Sequence, residues 1–157
     1  MYDHILFPTD GSDGSAAAIP HVRELAEAFD ATVHVLHVVD TRQFQFGIGG
    51  SYISGPKSYS DDRPSKDDRQ RQVEERARPF VEELAADFEG IDTVTAVREG
   101  SPHRAILDYV DENDIDIVVM GAGGHTGVER YLLGSVSEKV VRMARPPVVT
   151  VRADETE

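Results

Sequence analysis

Apolar residues along this chain fall into two alternating rhythms. Short runs of aliphatic and β-branched residues, Ile5–Pro8, Val33–Val39, Val94–Val97, Ile115–Met120 and Val148–Val151, read as strands. The runs are continuous rather than alternating, which implies burial on both faces and so a parallel sheet covered by helices above and below. Between them the period changes. Ile19, Val22, Ala26 and Phe29 share one face of a first helix, and Val73, Ala77, Phe80, Leu84 and Phe88 one face of a second. Gly100-Ser101-Pro102 opens a third, with Ser101 at the cap and Pro102 at the first helical position. Gly134-Ser135 precedes a fourth. The order βαβαβαβαβ predicts an α/β fold: a single doubly wound five-stranded parallel sheet with helices on both faces.

Two features disturb this pattern. Pro20 and Pro79 fall inside the first and second helical stretches, where each removes a hydrogen bond and crowds the preceding turn, so kinks are expected there. Residues 41–65 lack periodicity and carry glycine, serine and the aromatics Phe44, Phe46, Tyr52 and Tyr59. A loop beyond about 12–15 residues is usually functional or disordered. Disorder is the simpler reading, and a cover over a bound ligand the alternative.

Length changes the picture little: 157 residues make one domain, placed over 1–152, with an acidic tail at 153–157. Charge changes it more. Against 29 acids stand 16 bases, and lysine occurs only at Lys57, Lys66 and Lys139; the formal net charge is −13. Such a surface repels nucleic acid, whose binding depends on Lys and Arg displacing counterions from phosphates. Scarce lysine with abundant acid resembles proteins of salt-accumulating organisms, where a Debye length of about 3 Å in molar salt screens self-repulsion. An acidic protein from an ordinary environment is the alternative. Cysteine is absent, which removes disulfides, thiolate metal sites and thiol nucleophiles. No apolar run approaches a membrane span, and the expected location is the cytoplasm.

In a doubly wound sheet, ligands gather beyond the carboxyl ends of the strands. That rule selects Thr9-Asp10-Gly11, Val38-Val39-Asp40 and Gly121-Ala122-Gly123-Gly124. No Gly-Lys-Ser/Thr is present, so the last segment is no Walker A loop; it also misses the dinucleotide spacing by one residue and follows the wrong strand. What it offers is Gly121-x-x-Gly124, nine intervening residues, then Gly134-Ser135 and Ser137. Glycines let backbone N–H groups approach phosphate oxygens, and a following helix adds its positive N-terminal end. The plainer alternative is that the glycines only make tight turns, that Ser135 and Glu138 form a capping box, and that Asp10 caps the next helix.

The segments ILFPTDGS, LHVVD, Gly-x-Pro, MGAGG, YLLGSVSEKV and PPVVTV make the chain similar, over nearly its whole length, to the universal stress protein family, and specifically to its ATP-binding type. The resemblance implies strand order 3-2-1-4-5, a Rossmann-like, adenine nucleotide alpha hydrolase-like fold. It implies a nucleotide, ATP or else ADP or AMP, with Asp10 and Val38 at the adenine, Gly121 and Gly124 at ribose and phosphates, and Gly134, Ser135 and Val136 at the phosphates. Pro8, Thr9, Met120, Ala122, His125 and Ser137 flank these positions. Asp10 is also the candidate ligand for a magnesium ion carried by ATP. Many nucleotide-binding members have a hydroxyl residue where this chain has Ala122 and a basic residue where it has His125, which bears on affinity. The resemblance further implies a homodimer joined along Val148–Val151.

Catalysis finds little support. His34 and His37 lie three apart on one strand and so point to opposite faces, unsuited to a shared metal; both are expected to be satisfied histidines under the covering helices. His103, in a helix's first turn, is expected to be solvated. The function expected is a nucleotide-binding stress-response or regulatory protein, with slow hydrolysis at most and an unidentified regulatory partner. A nucleotide-independent dimeric interaction module is the alternative.

Overall fold

The computed structural model describes residues 1–40, 66–122 and 134–153. The segment 41–65, Gly123, Gly124 and His125, and the end of the acidic tail lie outside the described residues. Along the chain run β1 (His4–Pro8), α1 (Asp13–Ala16), α2 (Ile19–Phe29), β2 (Thr32–Val39), α3 (Lys66–Ala85), a 3₁₀ turn (Ala86–Phe88), β3 (Thr93–Glu99), α4 (Pro102–Glu112), β4 (Ile117–Gly121), α5 (Ser135–Met143) and β5 (Val148–Val151).

The five strands form one parallel sheet in the order β3-β2-β1-β4-β5, the order the family resemblance implies. Because side chains alternate across a strand, each central strand feeds two cores. Ile5, Phe7, Val33, Val35, Ile117 and Val119 pack beneath α2 and the 3₁₀ turn with Val22, Ala26 and Phe88. Leu6, Leu36, Val118 and Met120 pack on the other face with Ile106, Tyr109 and Val110 of α4 and Val140 of α5. Phe7 is 1 % exposed and Leu6 fully buried; burials of this kind contribute about 2 kcal/mol each. A smaller cluster, Ala77, Val81 and Val97, seats α3 on β3.

Pro20 makes no kink. A separate short helix, α1, ends at Ala16, and α2 begins at Ile19, so Pro20 sits in the first turn of α2, where its missing N–H has no partner to lose. Pro79 does lie inside a helix, and α3 runs through it. Ser101 occupies the N-cap of α4 without a capping bond; its hydroxyl lies 3.3 Å from Nδ1 of the half-buried His103. α2 closes with Asp30 in the left-handed region (φ 54), its N–H returning to the Ala26 carbonyl. As expected, β5 is a sheet edge, half-buried along its length.

Candidate functional site

The carboxyl rim of the sheet is built from β1 outwards. Pro8 and Thr9 are buried, and the Thr9 N–H donates to the Leu36 carbonyl, holding the chain to β2 for one residue past the strand. Gly11 then turns at φ +80, a conformation suited to glycine. A Cβ there would also meet the tip of the Phe80 ring at 2.7 Å. The turn throws the Asp10 carboxylate outward. Its Oδ1 accepts from the Ser12 N–H at 2.9 Å and from the Ser15 hydroxyl at 3.3 Å. Burial alone would raise the Asp10 pKa. The bonds from Ser12 and Ser15 outweigh burial, and the group sits below the ordinary carboxylate value.

Asp10 therefore does not cap α1. Ser12 does, accepting from the Ser15 N–H at 3.2 Å. Ser15 is buried, its hydroxyl 2.7 Å from that of Thr9.

β4 brings its last residue, Gly121, to the same place. A Cβ on Gly121 would lie 2.4 Å from the Gly14 carbonyl oxygen and 2.9 Å from the Ser15 Cα, so the glycine is what lets α1 lie against the end of β4. The carbonyl of Gly121 accepts the buried Ser137 hydroxyl at 2.9 Å. Ala122 is buried and accepts from the Gly134 N–H at 2.7 Å, which ties the residue after β4 to the start of α5. Gly134 is the N-cap of α5, and Ser135 stands one residue inside it, exposed. The expected Ser135–Glu138 capping box does not form; Glu138 donates its N–H to the Gly134 carbonyl. The first N–H groups of a helix have no partner within it, so those of Ser135 and Val136 stand at the positive end of the α5 dipole. Half-buried Val38 and Val136 pack on the core beside Met120 and leave apolar surface at the rim.

The structure thus brings three bonded groups to one rim, Thr9–Ser15–Asp10, Gly121–Ser137 and Ala122–Gly134, with Ser15 packed against Gly121 and with Val38, Met120 and Val136 in the adjoining cluster. Gly124 and His125 lie outside the described residues. Sequence reasoning missed Gly14 and Ser15. An Asp-Gly-Ser turn signals Ser12, but nothing local marks Ser15, whose partners are set by the fold. His34 and His37 do point to opposite faces: His34 bonds Tyr109, while His37 bonds the Thr9 carbonyl at 3.1 Å and stacks edgewise on Phe80. Among the described residues no three His, Cys, Asp or Glu side chains converge on a metal position, and no helix is long and apolar enough to cross a membrane.

A rim with a carboxylate, a glycine turn and a helix N-terminus occurs in many doubly wound proteins, and comparison with known sequences is decisive here. The model of the universal stress protein family matches residues 1–152. This chain belongs to the universal stress protein family. Universal stress protein MJ0531 of Methanocaldococcus jannaschii is 34% identical over all of this chain and 86% of its own length. The solved structure of MJ0577, a universal stress protein of the same organism, covers 99% of each chain at 26% identity with a TM-score of 0.76. A universal stress protein of Archaeoglobus fulgidus solved in complex with dAMP shares the fold at 18% identity, with a TM-score of 0.62 over 97% of this chain and 98% of that one.

Proposed function

We propose that this universal stress protein binds an adenine nucleotide, ATP or its products ADP and AMP, at the carboxyl rim, and acts as a stress-response or regulatory protein in the cytoplasm rather than as a strong catalyst. One observation carries the reading: an outward-facing Asp10 carboxylate and the N-terminus of α5 are fastened to the two sides of one glycine, Gly121. The residues suit the ligand. The first N–H groups of α5, on Ser135 and Val136, match phosphate oxygens, Val38 offers an apolar surface to the adenine, and an ionised Asp10 accepts hydrogen bonds from amino or hydroxyl groups. A fold-level precedent exists in the Archaeoglobus fulgidus structure with dAMP. Any magnesium would enter on the phosphates, with Asp10 as its candidate protein ligand. An Asp10 carboxyl held below its ordinary value is a weak base, far from the near-neutral pKa that suits general-base catalysis, which favours binding over turnover.

Calorimetry with Mg-ATP in high potassium salt tests the proposal. Heat of binding and a thermal shift are expected, together with adenine nucleotide in the mass spectrum of the denatured protein; neither effect at millimolar Mg-ATP would sink it. Gly124→Val is expected to abolish binding by keeping backbone from phosphate.

A second reading, a dimeric interaction module, has its own observation. Among the described residues β5 is a sheet edge, and beside it α5 exposes Val141 (44 %) and Met143 (57 %). An uncovered edge with apolar neighbours is a pairing surface, and two copies related by a two-fold axis would join β5 to β5. Light scattering at a mass near the 17.3 kDa of one chain would reject the dimer; if one forms, Val149→Lys should split it.

A further inference from the structure

Thr9, Ser15 and Asp10 form a chain of hydrogen bonds whose direction is set by how many hydrogens each group has to give. The Gly11 N–H donates to Thr9 Oγ1 over 3.1 Å. The Thr9 and Ser15 hydroxyls are 2.7 Å apart. Ser15 Oγ lies 3.3 Å from Asp10 Oδ1 and 3.2 Å from the Ser12 carbonyl oxygen. A hydroxyl carries one hydrogen; a carbonyl and an ionised carboxylate have none. If Ser15 gave its hydrogen to Thr9, its oxygen would face two acceptors with nothing between them, a costly arrangement for a buried group. The remaining assignment has Thr9 donating to Ser15, and the Ser15 hydrogen shared between the Ser12 carbonyl and the Asp10 carboxylate. Each bond then polarises the next, and the last ends on a charge.

Ser15 has a second attachment. Its Cα lies where a Cβ on Gly121 would approach within 2.9 Å, and the Gly121 carbonyl in turn holds Ser137 of α5. Ser15 therefore stands between the carboxylate after β1 and Gly121 at the end of β4.

We propose that Thr9 and Ser15 are positioning residues for nucleotide recognition: their ordered hydroxyl chain holds the Asp10 carboxylate in one rotamer beside the Gly121 turn, so that carboxylate and α5 N-terminus meet the ligand as one rigid unit. The proposal rests on the nucleotide reading above. It distinguishes the hydroxyls from simple core filling, because a filler of the same shape would not replace them.

Thr9→Val keeps the shape and removes the hydroxyl, Thr9→Ser keeps the hydroxyl, and Ser15→Ala removes one oxygen. For each, the Asp10 side-chain scalar couplings and the exchange of the Gly11 and Ser12 amide protons are read by NMR on the nucleotide-free protein, and Mg-ATP affinity by calorimetry. Thr9→Val and Ser15→Ala should let Asp10 average among rotamers, speed exchange at Gly11 and Ser12, and weaken Mg-ATP about tenfold, the usual worth of one hydrogen bond to a charged group. Thr9→Ser should keep wild-type couplings and affinity. An Asp10 that stays locked in both hydroxyl-deleted variants overturns the proposal, as does a folded Thr9→Ser that behaves like Thr9→Val. If Thr9→Val does not fold, Ser15→Ala decides. Wild-type protein without affinity for Mg-ATP would overturn the nucleotide reading, while the couplings of the free protein still judge the hydroxyl chain.

Discussion

The two ends of the central strands carry polar clusters of opposite character. At the carboxyl end, hydrogen bonds run one way, from the Gly11 N–H through two hydroxyls to the Asp10 carboxylate. At the amino end, His4 Nδ1 lies 3.1 Å from His34 Nε2, and His34 Nδ1 lies 2.8 Å from the Tyr109 hydroxyl. A neutral imidazole has one donor and one acceptor, and a phenol serves as either, so this second chain is satisfied in both directions. Protonating His34 would use up its one acceptor and place a charge in a buried site. The carboxyl end is thus fixed in direction, and the amino end is sensitive to acid.

Burial, and then the charge of His4, hold the His34 pKa below its usual value. The surroundings do little to relieve this. Asp116 Oδ2 is engaged by the N–H groups of Asp3 and His4, at 3.0 and 2.9 Å. The Arg98 guanidinium lies 5.2 Å from the Tyr109 ring centre, and Glu112 lies 3.9 Å from Arg98. Burial is likewise the main cause that raises the Tyr109 phenol.

The largest test of the comparison is Gly121→Val. Its side chain would collide with the backbone at Gly14 and Ser15, which cannot move aside as a side-chain tip could. A loss of about 3 kcal/mol in urea unfolding is expected, with the His34–Tyr109 signals retained in the fraction that folds; wild-type stability would show that the two sides of the rim are not fastened there.

Next is Tyr109→Phe, which leaves buried His34 Nδ1 without a partner and should cost about 2 kcal/mol. Mg-ATP affinity should be unchanged, and a loss of affinity would show that the two ends are coupled.

The smallest effect is in the pH profile. A histidine whose folded pKa is depressed contributes stability that is complete above its unfolded value, about 6.5, and is lost as pH falls through the folded value, because the unfolded chain binds the proton first. Asp10 is also depressed, but as an acid: its contribution holds above the ordinary carboxylate value and is lost only at lower pH. Between pH 7 and 5 the slope should therefore flatten in His34→Gln and persist in Asp10→Asn. The reverse would assign the slope to the carboxyl end.

Much of the fold was legible because doubly buried strands leave continuous β-branched runs that no amphipathic helix imitates. Pro20 was misread because α1 and α2 read as one helix; the break at Ala17-Ala18 carries no glycine or proline to announce it. At the rim, Asp10 and Gly121 could be located from the strand runs alone, since they stand at the ends of β1 and β4. Ser15 could not, nor could the bond joining His34 to Tyr109 across 75 positions, because such partners are chosen by packing. Ser135 and Glu138 failed differently: the capping pattern is present, but the helix begins one residue too early to use it.

His37 shares a strand with His34 and meets the opposite fate. Its Nδ1 faces the Thr9 carbonyl, which can only accept, so the hydrogen resides on Nδ1 and the tautomer is fixed. Two imidazoles three residues apart thus have unlike partners: one meets a phenol that can give or take a hydrogen, the other a carbonyl that can only take one, and so latches β2 to the residue preceding Asp10.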